Sequence, residues 1–270
     1  MRRRRFFAAL AAAGVGGGLA GVVAQPGRRG RGEGPPAARS LPRNEMEERI
    51  LAVLERMRAE DATYLSVPPD DGRWLRVLTE AARAERVVEV GTSTGYSGLW
   101  IALALASTGG RLTTLEIDEA RAAAAVKHFA EAGVADRVTV VVGDAHRTAR
   151  DIRGPLDLVF LDADKDGYRE YFTVLSPHLR AGGLTLAHNV GMVRSYLDDV
   201  AANPAFETVY YMDGGGLAVT VKKHAAARSG PPCCESARRR NEMLTPSSPR
   251  CRRALRCWTR IESGSSYSTV

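Results

Sequence analysis

The sequence has no cysteine before position 233, so disulfides cannot hold the larger part of the chain together. Its four cysteines stand near the C-terminus, at positions 233, 234, 251 and 257. A structural zinc site needs two closely spaced pairs, and this spacing, with no histidine among the cysteines, disfavours such a site. We interpret them as incidental thiols, and the cysteine count therefore says nothing about an oxidising compartment.

Compositional extremes are also missing. Hydrophobic residues make up 44% and charged residues 26% of the 270 positions, which are ordinary values for a globular protein. These values exclude a collagen, a chain that is disordered throughout and a multi-span membrane protein. The length suits one domain of moderate size with tails.

The middle of the chain lacks an excess of basic residues. The net charge is +7, but residues 1–43 hold nine Arg and one Glu, and residues 224–270 hold nine Arg and three acidic residues. Residues 44–223 therefore carry 20 basic and 27 acidic side chains. This mildly acidic middle argues against a nucleic-acid surface, and we predict no nucleic-acid partner.

The N-terminus has the pattern of an export signal. Arg2–Arg5 form a positive region, Phe6–Ala24 is apolar but rich in alanine and glycine, and cleavage is expected after Ala24. The Arg-Arg-Phe-Phe order resembles a twin-arginine signal, so residues 1–24 predict export across the inner membrane. An uncleaved anchor is the alternative, and a leader that does not function would leave the protein cytoplasmic.

Residues 25–43 and residues 224–270 are rich in Gly, Pro, Arg or Ser without periodicity. We predict a disordered linker and a disordered basic tail there. The folded domain is expected to span residues 44–223, and no membrane contact is expected beyond the leader.

Helical and strand patterns alternate through this domain. The alternation predicts an α/β fold: a Rossmann-like, seven-stranded, mostly parallel sheet with helices on both faces and a C-terminal antiparallel β-hairpin at its edge. Predicted helices cover 45–64, a segment around 74–82, 97–106, 119–132, 168–179 and 196–202. Predicted strands cover 87–90, 112–117, 138–142, 156–161, 184–187, 208–212 and 217–221.

The first predicted strand ends in a glycine-rich turn, G-T-S-T-G-Y-S. Glycines at 91, 95 and 98 allow a sharp turn and a close approach of backbone to ligand. Ser93 stands where a dinucleotide fingerprint needs its second glycine, so a pyrophosphate is disfavoured. Glu89, just before Gly91, suits a ligand with a positive charge instead.

The next strand ends add groups for the rest of such a ligand. Glu116 ends the second strand, where a carboxylate can accept hydrogen bonds from two ribose hydroxyls. The third strand leads to the segment Gly143–His146, where an adenine edge can lie. These three features at successive strand ends favour S-adenosylmethionine over NAD as the ligand.

The fourth and fifth strands end in D-A-D-K-D-G-Y, from Asp162, and in A-H-N, at His188 and Asn189. Together with E-V-G-T-S-T-G-Y-S from Glu89, these motifs resemble the metal-dependent small-molecule O-methyltransferases, the group of the catechol and caffeoyl-coenzyme A enzymes. The resemblance covers roughly residues 45–223. It implies a class I S-adenosylmethionine-dependent fold, a homodimer, and a small phenolic or catechol-like acceptor.

The resemblance also implies roles for individual residues. Asp162 would ligate a divalent metal and take part in catalysis, Lys165 would be the general base, and Asp164 would contact the amino group of the cofactor. Glu116 would bind its ribose, and Ala145 its adenine with His146 nearby. The remaining cofactor contacts would come from Val67, Glu89, Gly91, Thr92, Gly95 and Ser97.

One departure concerns the metal. The family pattern has Asp-Asn at the end of the fifth strand, whereas this chain has His188 and Asn189. With Asp162 these two residues would form a metal site that binds Mg²⁺ weakly. The site would prefer Mn²⁺, Fe²⁺ or Zn²⁺, because these ions accept imidazole as a ligand. The alternative is that the metal is lost and that Lys165 or His188 alone acts as base.

Two other functions stay open at this point. A nicotinamide-dependent oxidoreductase can use a similar fold, although the glycine spacing disfavours it. A non-catalytic S-adenosylmethionine binder would explain the exported compartment and the histidine. We also expect Trp74, Trp100 and Phe160 to lie in the core, and His128 to be solvated on a polar helix face.

Overall fold

The computed structural model describes residues 39–60 and 67–225. The predicted leader, nearly all of the linker, the basic tail beyond residue 225 and the four cysteines lie outside this part. Within the described residues, no helix combines the length and apolar character needed to cross a membrane.

The domain is built on one seven-stranded sheet in the order β3-β2-β1-β4-β5-β7-β6. The first five strands pair in parallel, and β7 is antiparallel to both of its neighbours. The strands are β1 Arg86–Val90, β2 Arg111–Glu116, β3 Val138–Val142, β4 Leu156–Leu161, β5 Leu179–His188, β6 Phe206–Tyr211 and β7 Leu217–Lys222.

Seven α-helices connect or precede the strands. They are α1 Glu45–Glu60, α2 Pro69–Ala81, α3 Tyr96–Thr108, α4 Glu119–Glu131, α5 Ala145–Thr148, α6 Tyr168–Leu175 and α7 Arg194–Ala201. Local chemistry sets several of their ends. Pro69 opens α2, where its missing N–H costs nothing, and the Asp118 carboxylate caps α4 by accepting from the Arg121 N–H. Gly109 ends α3 in the left-handed conformation.

Helices cover both faces of the sheet. One core lies between the sheet and α1 to α4, with Ile50, Leu75, Leu99 and Phe129 fully buried. The other core lies on the opposite face, under α6 and α7. Buried apolar area on both faces is the main source of stability in such a sheet, and it fixes the strand ends that form the site.

The predicted hairpin lies at the edge of the sheet, with β6 as the edge strand and β7 paired to β5. The structure corrects two details of the predicted elements. The predicted helix 168–179 ends at Leu175, so β5 starts at Leu179 and is ten residues long. Residues 61–64 of the first predicted helix lie outside the described part. The short helix α5 was not predicted.

The predicted burial of individual side chains was confirmed for some residues and wrong for others. Trp100 and Phe160 are buried in the core, as predicted. Trp74 is 38% exposed and packs against Tyr211 with ring centroids 5.4 Å apart, so its placement in the core was wrong. His128 was expected to be solvated, but its Nδ1 lies 2.8 Å from the Thr94 carbonyl oxygen and ties α4 to the glycine-rich turn.

Candidate active site

Two cavities of about 520 Å³ each lie at opposite ends of the sheet. The cavity at the amino ends is lined by Arg86, Arg111 and Arg153 among others. The cavity at the carboxyl ends is acidic, since Glu116, Asp144, Asp162 and Asp164 line it, and it includes the glycine-rich turn. Ligands of open α/β sheets bind at the carboxyl ends, so this second cavity is the candidate site.

Six predicted site residues line this cavity together. They come from the ends of four strands and the loops that follow them: Gly91, Glu116, Ala145, His146, Asp162 and Asp164. Sequence reasoning had not assigned several further lining residues, namely Ser93, Arg121, Asp144 and Tyr171.

The glycine-rich turn brings backbone close to the centre of the site. Gly91 has a φ of +100°, and a Cβ at this position would overlap the carbonyl oxygen of Asp162. The N–H groups of Gly91 and Thr92 both donate to the Leu115 carbonyl, at 3.0 and 3.1 Å. The turn is therefore fixed to the ends of both neighbouring strands, β2 and β4, and only glycine fits at position 91.

Glu116 lies at the cavity wall, as predicted, but it already has partners. Its Oε2 accepts from the Ser93 N–H at 2.7 Å, and its Oε1 accepts from the Asp118 N–H and from Arg121 at 2.8 Å. Arg121 follows the Asp118 helix cap by three residues, yet its side-chain direction could not be inferred from spacing alone. Any ligand hydroxyl that reaches this carboxylate must therefore share it with a guanidinium.

Glu89 is not among the residues that line this cavity, and its contact with the cofactor stays a prediction. Its carboxylate is fully buried one layer behind the turn and accepts from Ser97 Oγ and Thr114 Oγ1, both at 2.6 Å. Thr92, also predicted to bind, instead contacts Thr114 at 2.6 Å. Burial raises the pKa of Glu89 to about 7, although the two hydroxyl donors oppose this effect.

Two more predicted cofactor contacts lie in the core. Val67 is buried in the core beside the first three helices and is absent from the lining of the cavity. Gly95 caps α3 in a left-handed conformation, where a Cβ would press on Phe129 and Ala125. Neither residue is among those that line the cavity, and both contacts stay predictions. Gly95 sets the start of α3 directly after the turn.

The third and fourth strand ends form one side wall of the cavity. The rings of His146 and Tyr171 are 4.9 Å apart, and the Tyr171 hydroxyl donates to Asp164. His146 Nδ1 lies 2.7 Å from Glu170. The hydrogen bond with Glu170 raises the pKa of His146, and the Asp164 and Asp144 carboxylates add to this effect. These two rings, tilted by 39° to each other, and Ala145 form an aromatic and apolar wall beside the acids, of the kind against which a planar ring packs.

Asp162 connects the cavity to a second group of polar residues. Its Oδ1 accepts a hydrogen bond from Lys165 Nζ at 2.9 Å, and Lys165 also donates to the Tyr168 hydroxyl at 3.1 Å. Burial and the nearby Asp162 charge raise the pKa of Tyr168, so its hydroxyl stays protonated and donates to the His188 carbonyl at 3.2 Å. The predicted pair Asp162 and Lys165 is thus brought together.

His188 lies between two carboxylates. Its Nε2 is 2.8 Å from Asp71 Oδ2, and its Nδ1 is 3.3 Å from Asp162 Oδ2. Burial lowers the pKa of this histidine, but the Asp162 and Asp71 carboxylates outweigh burial and raise it above the usual value. Asp71 lies 117 positions before His188 and is 1% exposed, and its place beside His188 was not predicted from the sequence.

The predicted metal ligands do not fit a metal in this arrangement. Asp162 has one oxygen bonded to Lys165 and the other beside His188, and both ring nitrogens of His188 face carboxylate oxygens. Asn189, the third predicted ligand, occupies a left-handed conformation with a φ of +55°. Among residues 39–60 and 67–225, no three His, Cys, Asp or Glu side chains are grouped to hold a metal ion.

The fold and the cavity define a class, the S-adenosylmethionine-dependent methyltransferases, because solved members of that class share this architecture. An O-methyltransferase from Bacillus cereus in complex with SAH has a TM-score of 0.58 and is 27% identical over 68% of this chain and 93% of that chain. TomG of Streptomyces achromogenes, solved with SAM, matches equally well at 0.58 and 27%, over 68% and 92%.

The family follows from the sequence comparisons. The sequence model of the O-methyltransferase family matches residues 43–206, and the chain belongs to this family. A catechol O-methyltransferase of Niastella koreensis is 34% identical over 165 residues, 60% of this chain and 74% of the relative. A caffeoyl-CoA O-methyltransferase of Populus kitakamiensis is 32% identical over 148 residues, 52% and 63% of the two chains. These matches confirm the resemblance and set aside the nicotinamide oxidoreductase.

Proposed function

We propose that this O-methyltransferase transfers a methyl group from S-adenosylmethionine to an oxygen of a small phenolic or catechol-like molecule. The observation that carries the proposal is the acidic cavity at the strand ends, which continues directly into the group of Asp162, Lys165 and Tyr168. Two relatives are named as a catechol O-methyltransferase and a caffeoyl-CoA O-methyltransferase, and these names support the same class of acceptor.

The cavity fits this cofactor in shape and charge. Its acidic lining suits a ligand that carries a sulfonium and an ammonium group, and the glycine turn leaves room beside Asp162 where a side chain would not fit. We infer that Glu116 binds the ribose and that the wall of His146, Tyr171 and Ala145 packs against the adenine, since all four residues line the cavity. When bound, S-adenosylmethionine supplies an electrophilic methyl group on sulfur.

The chain's own residues position the acceptor and stabilise its anion. A phenol with an ordinary pKa near ~10 is a poor nucleophile until it loses its proton. Lys165 was predicted to take this proton, and that role stays a prediction. Its Nζ lies 2.9 Å from Asp162 and 3.1 Å from the Tyr168 hydroxyl, and we also assign Lys165 to stabilise the phenolate through its positive charge when it is an ammonium. The proton leaves to solvent water.

A panel of acceptors tests the proposed function. The full chain is incubated with S-adenosylmethionine and, separately, with catechol, caffeic acid, a simple phenol, an aromatic amine and a thiophenol, and the products are identified by mass spectrometry. We expect methylation of oxygen in the first two, because a neighbouring hydroxyl or an electron-poor ring favours the phenolate. Saturable cofactor binding without transfer to any acceptor would favour the non-catalytic binder.

Export and dimerisation are separate parts of the proposal. The leader in residues 1–24 and the resemblance of the domain to a dimeric family support them. N-terminal sequencing of the protein recovered from a periplasmic fraction tests the first, with Gln25 expected as the new terminus. Light scattering of the purified chain tests the second, and a monomer mass would contradict it.

A further inference from the structure

His188 lies between two acidic side chains, Asp71 and Asp162, and the three residues form a chain of ion pairs. Asp71, in the first turn of α2, and Asp162, after β4, face the two ring nitrogens of His188 at 2.8 and 3.3 Å. The His188 and Asp71 side chains are 5% and 1% exposed. The Asp71 carboxylate is buried, whereas the Asp162 side chain is 16% exposed. Two carboxylates at this spacing, one of them buried, are stabilised by a positive charge between them, because like charges in a low dielectric repel strongly.

The ring itself meets this need when it is a cation. A neutral imidazole has one N–H donor, so one of its nitrogens would turn a lone pair towards a carboxylate oxygen. An imidazolium carries hydrogen on both nitrogens: Nε2–H then donates to Asp71, and Nδ1–H lies 3.3 Å from Asp162 Oδ2, within ion-pair distance but outside hydrogen-bond geometry. The position between the acids is therefore already filled by an organic cation.

The surroundings hold the ring in this position. The N–H of Gly215, in the turn between β6 and β7, donates to Asp71 Oδ2 at 2.9 Å. A Cβ at Gly215 would overlap His188 Nε2, so the turn closes tightly on the pair. Lys165 holds the other oxygen of Asp162 at 2.9 Å. No oxygen of Asp162 is left without a positively charged neighbour.

We propose that His188 takes the place of a divalent cation in this enzyme, so that methyl transfer requires no metal ion. In this role His188 is a positioning residue: it neutralises Asp71 and Asp162 and keeps Asp162 aligned with Lys165 at the acceptor. The bond between acceptor oxygen and methyl carbon forms as the sulfur–carbon bond breaks, its electron pair goes to sulfur, and the phenolic proton goes to water. The choice of acceptor rests on the proposed function, but the exclusion of metal does not.

The test measures binding of Mn²⁺ to the cofactor-saturated full chain by calorimetry and by electron paramagnetic resonance, without any acceptor. We expect no stoichiometric binding in the wild type. His188→Asp and His188→Gln remove the cation from between the acids, and both should bind Mn²⁺ at least about tenfold more tightly than the wild type. His178→Asp makes the same change near the opposite end of β5 and should behave as the wild type.

Two outcomes would overturn the proposal. One is stoichiometric Mn²⁺ binding by the wild type that His188→Gln weakens, because His188 would then be a ligand. The other is absence of binding in both variants, because His188 would then not be what excludes the ion. His188→Gln keeps the volume and polarity of the site, so it covers the case in which His188→Asp fails to fold.

A second measurement uses activity when an acceptor has been found. Transfer by the wild type should persist after extensive chelation, while transfer by His188→Asp should come to depend on added Mn²⁺. Loss of wild-type transfer on chelation, with recovery on adding the metal, would contradict the proposal. If no phenol is methylated at all, the proposed function fails, and the Mn²⁺ titrations still decide the question of the metal.

Discussion

Glu89 is buried next to the candidate site and contacts residues of the turn and the neighbouring strand without lining the cavity. Its carboxyl has no solvent contact, and two short hydrogen bonds from Ser97 and Thr114 satisfy it. Burial raises its pKa from about 4.5 to about 7. Between these two values the folded protein keeps a proton that the unfolded chain has lost. The stability contributed by this group therefore falls as the pH rises through that range.

We expect the Glu89→Gln variant to lose this pH dependence of stability. The free energy of unfolding of the wild type, relative to this variant, should decrease from pH 5 to pH 8, because only the wild type must ionise a buried group. Urea unfolding at the two pH values measures the difference. Glu119→Gln, at an exposed position, serves as the control and should show a constant difference. A constant difference for Glu89→Gln would contradict the burial effect.

The Glu116 carboxylate should affect cofactor binding directly. Glu116→Ala removes the acceptor placed for the ribose and leaves Arg121 and the Ser93 N–H without their partner. We expect S-adenosylmethionine affinity to fall by about 1–3 kcal/mol, measured by calorimetry. Glu119→Ala, three positions along the same loop and helix start, should bind as the wild type does. Equal affinity in both variants would place the ribose elsewhere.

Lys165 should affect turnover more than binding. Lys165→Gln removes the positive charge that we assign to the phenolate, and we expect kcat to fall by about 10²–10³. The dissociation constant of S-adenosylmethionine should change little, because Lys165 is not among the residues that line the cofactor cavity. Steady-state kinetics with the best acceptor measures this, and Lys127→Gln, on an exposed part of α4, is the control. A fall confined to KM would contradict the assignment.

The sequence could predict those site residues whose role depends on their own strand end. Gly91, Glu116, Asp162 and His146 all line the cavity as expected, because a parallel sheet brings its carboxyl ends together. Asp71 could not be predicted, since its contact with His188 depends on how α2 packs near the far strand. The predicted metal site was built from strand-end residues and therefore did not include Asp71. The contact between Asp71 and His188 changes the chemistry of that site.

At the scale of elements, the turn between β1 and α3 is the most constrained connection. It combines a left-handed Gly91 with Ser93 at a φ of +49°, and Gly95 begins the helix at +93°. Three positive φ values within five residues allow the backbone to pass under the cavity and enter α3 at once. Non-glycine residues adopt such angles at a cost of about 1–2 kcal/mol each.

Gly91→Ala should be far more damaging than Gly109→Ala. Both positions have positive φ, so both variants carry the same kind of backbone strain, about 1 kcal/mol. A Cβ at 91 also overlaps the Asp162 carbonyl, whereas a Cβ at 109 meets nothing within 4 Å. We expect Gly109→Ala to lose about 1 kcal/mol of stability and keep cofactor binding, and Gly91→Ala to lose binding altogether. Thermal unfolding and calorimetry distinguish them, and equal effects would contradict the overlap.

The order of the helices and strands could be predicted from the sequence. The exact ends of some elements and the pairing of β7 with β5 could not. Apolar runs bounded by glycine gave β1 and β4 within a residue or two, since both are buried strands. The first part of β5 escaped prediction because Arg180, Gly182 and Gly183 break its apolar pattern. The internal position of β7 depends on β5 having a free edge, which no local pattern reports.

At the scale of the whole molecule, the ordered contacts start before the predicted domain boundary. Arg43, assigned to the linker, hydrogen-bonds Glu47 through both its backbone N–H and its guanidinium. Burial raises the pKa of Glu47, but these bonds and the charge of Arg76 hold it below its usual value. The stability that Glu47 contributes is therefore present at neutral pH and lost as the pH falls through its folded pKa.

Trimmed proteins test this boundary. Residues 40–225 alone should fold and unfold cooperatively, because they include every described helix and strand. Residues 44–225 should be less stable at pH 7, because the buried Glu47 carboxylate loses its hydrogen bonds from Arg43. Arg43→Ala in the longer piece should reproduce the loss, and the loss should shrink at low pH where Glu47 is protonated. Loss of a cooperative transition in residues 40–225 would show that the tails are needed.

The position of β7 has a consequence for the order in which the protein is made. The ribosome synthesises this strand last within the domain, yet it belongs inside the sheet, between β5 and β6. Until Lys222 has been synthesised, the hydrogen-bonding edge of β5 is open and can pair with other chains. Nascent chains that stop early, or products clipped before Leu217, should therefore aggregate rather than persist as partly active domains.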